Sequence, residues 1–297
     1  MTTKEPILLK SAPNRIGLYV QLIKFRLSAL VVFSAVIAYV MAANGIVEWK
    51  NILILILGGF LITGAANGFN QIIERDLDKL MQRTKDRPLP TGNMQFLEAI
   101  ILCIAMALIG ILLLGYFMNW RTALLGGLAV MSYAFVYTPM KQISSFAVHI
   151  GALLGALPTL IGWVAFDGTF GKEALVLFLI QFMWQFPHFW AIAWVLHDDY
   201  QKAGFSLLPS DGGRNKNSAL QTLVATILLV IISFIPMIFD WAGIGYAIVC
   251  GIVGAIFLFQ AFKLYLTCDV KSASNLMFGS FIYLPVIQIS LLVQKLF

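Results

Sequence analysis

Nine apolar runs of about 18 to 24 residues occupy most of this chain, and each is long enough to cross a roughly 30 Å hydrocarbon core as a helix. Lipid offers no hydrogen-bond partners, so a spanning segment must satisfy its own backbone groups, which a helix does. The runs predict helices over 26–43, 51–73, 97–118, 121–138, 146–166, 174–196, 218–239, 243–265 and 275–294. The expected fold is all-α: a polytopic membrane protein, a bundle of nine transmembrane helices with two acidic cytoplasmic loops capping its site. Composition supports this, since only 11% of the residues are charged and the mean hydropathy is +0.87. A soluble domain is usually about a quarter charged. No linker or low-complexity tract divides the chain, so one domain is expected over 1–297, with 1–25 as a cytoplasmic N-terminal segment.

The formal charge of +6 reads as topology and not as a nucleic-acid footprint, because cytoplasmic loops collect Lys and Arg. With the N-terminus inside, the cytoplasmic segments hold 16 basic residues, Lys4, Lys10, Lys24 and Lys141 among them. The other side holds 4: Lys50, Arg121, Lys172 and Lys295. The expected location is a bacterial cytoplasmic membrane, with the C-terminus outside. No small-residue cleavage site follows the first apolar run, so that run is expected to be a retained helix, and Glu5 argues against a mitochondrial leader. Cys103, Cys250 and Cys268 form no C-x-x-C pair, which disfavours a disulfide framework, a zinc site or an iron–sulfur cluster. Gly64 and Gly68, and Gly151 and Gly155, have the spacing of close helix packing. Pro158, Pro187 and Pro236 are expected to kink their helices.

Two loops carry half of the fourteen acids: Glu74, Asp76, Asp78 and Asp86 in one, Asp198, Asp199 and Asp211 in the other. Asn70, Glu74 and Asp78 stand at i, i+4 and i+8, along one helix face. Such a row of oxygens suits a hard divalent cation, and Mg²⁺ typically joins one or two carboxylates to phosphate oxygens. Arg83, Lys85 and Arg87 follow at once and can neutralise those phosphates. An ordinary solvated loop accounts for the basic residues but poorly for the carboxylate row. The adjacent Asp198 and Asp199 repel unless a cation lies between them, so both loops read as two sides of one metal site. His188 lies in an apolar run beside Pro187. It could bond the carbonyl that the proline frees, or ligate a haem iron. His149 reads as a packed, bonded histidine. Trp184, Trp190 and Trp194 have helical spacing that fits core packing, an interfacial anchor or an apolar tunnel.

The pattern Asn70-x-x-x-Glu74-x-x-x-Asp78, continued by Arg83-Thr84-Lys85-x-Arg87-Pro88-Leu89, resembles the first motif of the UbiA superfamily of intramembrane prenyltransferases. Pro187-His188-Phe189-Trp190-Ala191, then Asp198-Asp199-Tyr200-x-Lys202-Ala203-Gly204 and Leu208-Pro209, is similar to its haem-farnesylating branch. Tyr137-Thr138-Pro139 with Lys141, and Gly155-Ala156-Leu157-Pro158 with Gly162-Trp163, extend the match from about Lys24 to Pro285. The resemblance implies farnesyl transfer from farnesyl diphosphate to a vinyl group of protohaem IX, giving haem O and diphosphate, with Mg²⁺ as cofactor. It implies metal binding by Asn70, Glu74, Asp78, Asp198 and Asp199. It gives the diphosphate to Arg83, Lys85, Arg87 and Lys202, and haem contact to His188. The lipid bilayer and a haem A synthase are the expected partners, with no nucleic acid. The chain departs from the pattern at Glu74, where Asp is usual, and at Lys24-Phe25-Arg26, where Lys-Pro-Arg is usual. Lys202 stands where quinone-precursor enzymes continue their second Asp motif, which favours haem. A quinone-precursor prenyltransferase of the same fold, and an ion-coupled transporter, remain the alternatives.

Overall fold

The apolar runs all become helices. The computed structural model describes residues 14–44, 46–210 and 213–296, and within them nine helices are long and apolar enough to span a membrane. Lys4, Glu5, Lys10 and Asp211 lie outside the described residues. The spans are α2 (Phe25–Ala42), α3 (Trp49–Ile73), α5 (Phe96–Phe117), α6 (Trp120–Ser132, extended by further turns to Met140), α8 (Ala147–Asp167), α9 (Lys172–Val195), α11 (Lys216–Ser233), α13 (Ile244–Thr267) and α14 (Val270–Leu296). Short helices sit between them: α1 (Arg15–Leu22), α4 (Arg75–Asp78), α7 (Thr138–Met140), α10 (His197–Lys202) and α12 (Ile235–Ile238). The segment before the first span is therefore partly helical. Asn14 caps α1 by accepting from the Ile16 N–H, and Leu18 and Leu22 pack against Ile72 and Cys103.

The spans form a ring. Helix α2 packs on α3, α8 and α14; α3 packs on α5 and α6; α9 packs on α8, α11 and α14; and α13 closes against α11 and α14. Small residues set the closest approaches. Gly64 and Gly68 lie against Met106 and Cys103 of α5, as their spacing predicts. One close contact was not expected from spacing: Gly162 of α8 sits on the Ala35 carbonyl of α2, where a Cβ has no room.

Proline shapes the inner helices. Pro158 and Pro187 lie within α8 and α9, while Pro236 ends α11 and opens α12. Pro139 has no N–H to offer the preceding turn, and the backbone widens there into a π-turn over Tyr133–Tyr137. The Thr138 hydroxyl donates to the Tyr133 carbonyl at 2.8 Å. Such π-turns often mark functional positions, and this one faces the ring's interior. At one end the two acidic loops close over that interior, with Met81 packed against Ala203 and Phe205.

Candidate active site

The ring encloses a cavity of about 440 Å³ whose mouth lies under the two loops. Helix α3 ends at Ile73, yet the Glu74 N–H still bonds the Asn70 carbonyl and the Asp78 N–H the Glu74 carbonyl, at 3.0 and 2.7 Å. The i, i+4, i+8 row therefore survives the break between α3 and α4. Asn70, Glu74 and Asp78 are all buried and all line the cavity.

Each member of the row faces a cation. Both oxygens of Asp78 accept from Arg87 Nη1, at 2.9 and 2.7 Å. Glu74 is paired through Oε1 with the Lys141 ammonium. The Asn70 Oδ1 accepts from Lys24 Nζ at 3.0 Å, and its amide donates to Thr138 at 3.3 Å. Lys24 stands at φ 48°, between α1 and α2, a left-handed conformation rare for a side-chain-bearing residue. Strain of that kind costs about 1–3 kcal/mol and persists where the surroundings impose it. Here it turns the ammonium inward, where burial and then the Arg87 and Lys141 charges push its pKa down.

The second loop is arranged differently. Asp199 accepts from the backbone N–H groups of Gln82 and Arg83 and from Lys202 Nζ, each at 3.1 Å. The Arg83 and Gln82 amides, more than Lys202, hold its carboxyl below the usual range. Asp199 thus clamps one loop to the other. Asp198 is exposed and meets Arg214 at 3.1 Å. Neighbouring residues on a helix point about 100° apart, and here the two carboxylates meet different partners. The structure brings Asn70, Glu74 and Asp78 together and leaves Asp198 and Asp199 out of the cavity lining. Arg83 and Arg87 line the mouth, whereas Lys85 and Lys202 are exposed outside it. Their places are taken by Lys24 and Lys141, which the positive-inside count absorbed as topology charges although both belong to the quoted motifs.

Among the described residues no three His, Cys, Asp or Glu side chains gather as a protein-only metal site. The row does offer what Mg²⁺ takes: hard oxygens, one or two carboxylates, and open positions for phosphate and water.

Below the mouth the cavity turns aromatic, with Tyr133, Tyr137, Tyr200 and Phe205, and the Lys141 ammonium lies 5.0 Å from the Tyr137 ring centre. His188 lies deeper, stacked on Trp184 at 4.3 Å and bonded through Nδ1 to the Ser280 hydroxyl at 2.8 Å. Ser280 donates its own proton to the Met277 carbonyl. Nδ1 is then the donor, and the lone pair stays on Nε2. His188 therefore bonds a neighbouring helix and not a carbonyl freed by Pro187. His149 stacks on Phe146 and meets Phe186 edge-on, but it is exposed, so it is not the packed, bonded histidine expected from the sequence. Trp184 lines the cavity and donates to the Ser280 carbonyl, whereas Trp190 and Trp194 are buried in the core. Leu27, Leu30, Phe33 and Phe281 line the cavity and are also exposed on the bundle's flank, so the cavity reaches the lipid between α2 and α14.

Comparison with known proteins places this architecture. Residues 31–284 match the UbiA prenyltransferase family. A protoheme IX farnesyltransferase of Cytophaga hutchinsonii is 45% identical over 94% of this chain and 98% of its own length. One of Flavobacterium johnsoniae is 40% identical over 93% of each. Among solved structures, a digeranylgeranylglyceryl phosphate synthase superposes with a TM-score of 0.77 at 22% identity, covering 95% of this chain and 98% of that one. A UbiA homologue from Archaeoglobus fulgidus bound to DMAPP and Mg²⁺ superposes with a TM-score of 0.64 at 15% identity, covering 93% and 99%. With its nine spans, its buried oxygen row and these relatives, the chain belongs to the UbiA prenyltransferase family.

Proposed function

We propose that the chain transfers the farnesyl group of farnesyl diphosphate to a vinyl group of protohaem IX, giving haem O. The observation that carries this is the buried, cation-ringed row Asn70, Glu74 and Asp78 at the mouth of an apolar cavity with His188 below it. The named relatives, similar over nearly the whole chain, support the choice of haem as acceptor.

Arg83, Arg87, Lys24 and Lys141 stand where a diphosphate would enter. As the allylic C–O bond breaks, its electron pair leaves on diphosphate, and these cations stabilise the growing charge. Asn70, Glu74 and Asp78 would hold Mg²⁺, which when bound supplies further charge stabilisation at the leaving oxygens. Asp199 acts from outside by fixing the loop that carries Arg83. Tyr133 and Tyr137 offer ring faces to the allylic cation, and the apolar walls keep water from it. The vinyl group bonds to the farnesyl carbon. The cation left beside the porphyrin takes up water and sheds a proton. Haem O so formed can pass to a haem A synthase through the opening between α2 and α14.

His188 Nε2 is placed to ligate the haem iron. Titrating purified protein with protohaem IX is expected to shift the haem absorption band in the wild type, and His188→Ala is expected to reduce that shift while farnesyl diphosphate still binds. Identical spectra and affinities in both would remove His188 from the haem site, and no haem binding at all would remove the acceptor. The basic-residue bias puts the mouth in the cytoplasm of a bacterial inner membrane, with the C-terminus outside. A cysteine at Gln82 in a Cys268→Ser background should resist an impermeant thiol reagent on intact cells. Ready labelling there would invert the topology.

A further inference from the structure

Beyond His188 the cavity becomes polar again. Gln181 and Gln185 on α9 and Gln288 on α14 line its deep end, each no more than 6% exposed. On α9, Gln185 and Gln181 lie about 4.5 and 10 Å further from the mouth than His188. An amide in an apolar interior is costly without partners. Gln288 donates to Gln181 at 2.9 Å, Gln181 to the Gly155 carbonyl at 2.7 Å, and Ser34 to Gln288 at 3.2 Å. Helix-to-helix bonding accounts for that relay. Gln185 stays outside it: its amide lies against Gly155 and has no hydrogen-bond partner among the described residues. The farnesyl chain is pure hydrocarbon below its diphosphate and has no use for an amide there.

We infer that Gln185, backed by the Gln181–Gln288 relay, receives a propionic acid group of the porphyrin in its neutral form and so selects which edge of the ring reacts. This rests on protohaem IX being the acceptor. A primary amide offers one acceptor and one donor side by side, which a neutral carboxylic acid matches with its O–H and C=O. No cation lines this end, and burial far from opposite charge keeps a carboxyl protonated. Protohaem carries its two vinyl groups on one side of the ring and its two propionic acids on the other. A porphyrin ligated by a side chain projecting from α9 lies with its plane along that helix. Seating the acids on the glutamines then turns a vinyl edge toward Glu74 and Asp78. The amide layer is thus a positioning element for a reaction that takes place a porphyrin's width away.

The test compares protohaem IX with its dimethyl ester, which keeps the iron and the vinyl groups and loses both acid protons. The unmodified protein should bind the acid roughly tenfold or more tighter than the ester, because an acid–amide pair is lost. In Gln185→Leu, and in Gln185→Met as a flexible alternative, that preference should vanish while farnesyl diphosphate binds as before. Equal binding of acid and ester by the unmodified protein would overturn the inference, as would a preference that survives in both variants. Failure of the unmodified protein to bind either form would instead overturn the acceptor assignment, and this inference with it.

Discussion

Asp78→Asn is expected to lower farnesyl transfer by about 10²–10³-fold or more, the cost of losing one preorganised electrostatic group at a site of developing charge. Asp78 is completely buried, and both its oxygens are on Arg87. Asparagine keeps the size and one oxygen but removes the charge that a hard cation requires. It also leaves Arg87 without its counter-ion. Breaking a buried pair usually destabilises by about 3–5 kcal/mol. Here the penalty is smaller, because Arg87 lines the open mouth and is partly exposed, so water can reach it. The protein should fold and fail to turn over. Glu74→Asp, by contrast, restores the residue usual at that position and should keep most activity. Steady-state transfer at limiting Mg²⁺, alongside thermal unfolding in detergent, separates the two. Full activity in Asp78→Asn would remove the carboxylate row from the mechanism.

Lys141→Met should do two things at once. It leaves Glu74, which is only 4% exposed, without its cation, and so should destabilise the protein by about 3–5 kcal/mol. It also removes a cation from the diphosphate side of the mouth, so transfer should fall sharply. A second change distinguishes these effects. Glu74→Gln together with Lys141→Met removes both charges and should recover most of the stability, the non-additivity expected of residues in contact. It should not recover transfer. Recovery of both would make Lys141 a folding residue alone, and recovery of neither would deny the pairing.

The spans were legible because the hydrocarbon core imposes a length that soluble folds do not. All nine appear close to their expected positions, and the last begins earlier than hydropathy suggests. Val270–Ser274 looks like a loop by hydropathy, yet it is the first turn of α14. The Asp269 carboxylate accepts the Ser272 N–H at 2.6 Å, and Cys268 turns the chain at φ 50°. Capping of that kind is invisible to an apolar-run criterion. Helix α1 was missed for a related reason, since it is short and buries only Leu18 and Leu22.

At the site, the shared face of the first loop's residues was legible in the sequence, whereas the partners of the second loop's acids were not. Asn70, Glu74 and Asp78 share a face because helical spacing puts them there. Asp198 and Asp199 were paired by adjacency, which on a helix separates side chains: one turns to Arg214, the other to the backbone of the opposite loop. Lys24 and Lys141 were hidden by a rule that was itself sound. Basic residues on the cytoplasmic side satisfy topology whether or not they also reach inward, and only the fold tells the two apart. The glutamines were not singled out, because they carry no charge and form no motif, and an apolar run long enough to span a membrane tolerates a few amides.

The identity of the acceptor decides what this enzyme makes, and one measurement addresses it directly. Purified protein with Mg²⁺ and labelled farnesyl diphosphate is offered protohaem IX and a hydroxybenzoate together, and the products are resolved by mass. Label is expected in a farnesylated, hydroxylated haem, with equimolar diphosphate released and no labelled aromatic acid. Label in the hydroxybenzoate with none in haem would contradict this and reassign the cavity to a quinone precursor.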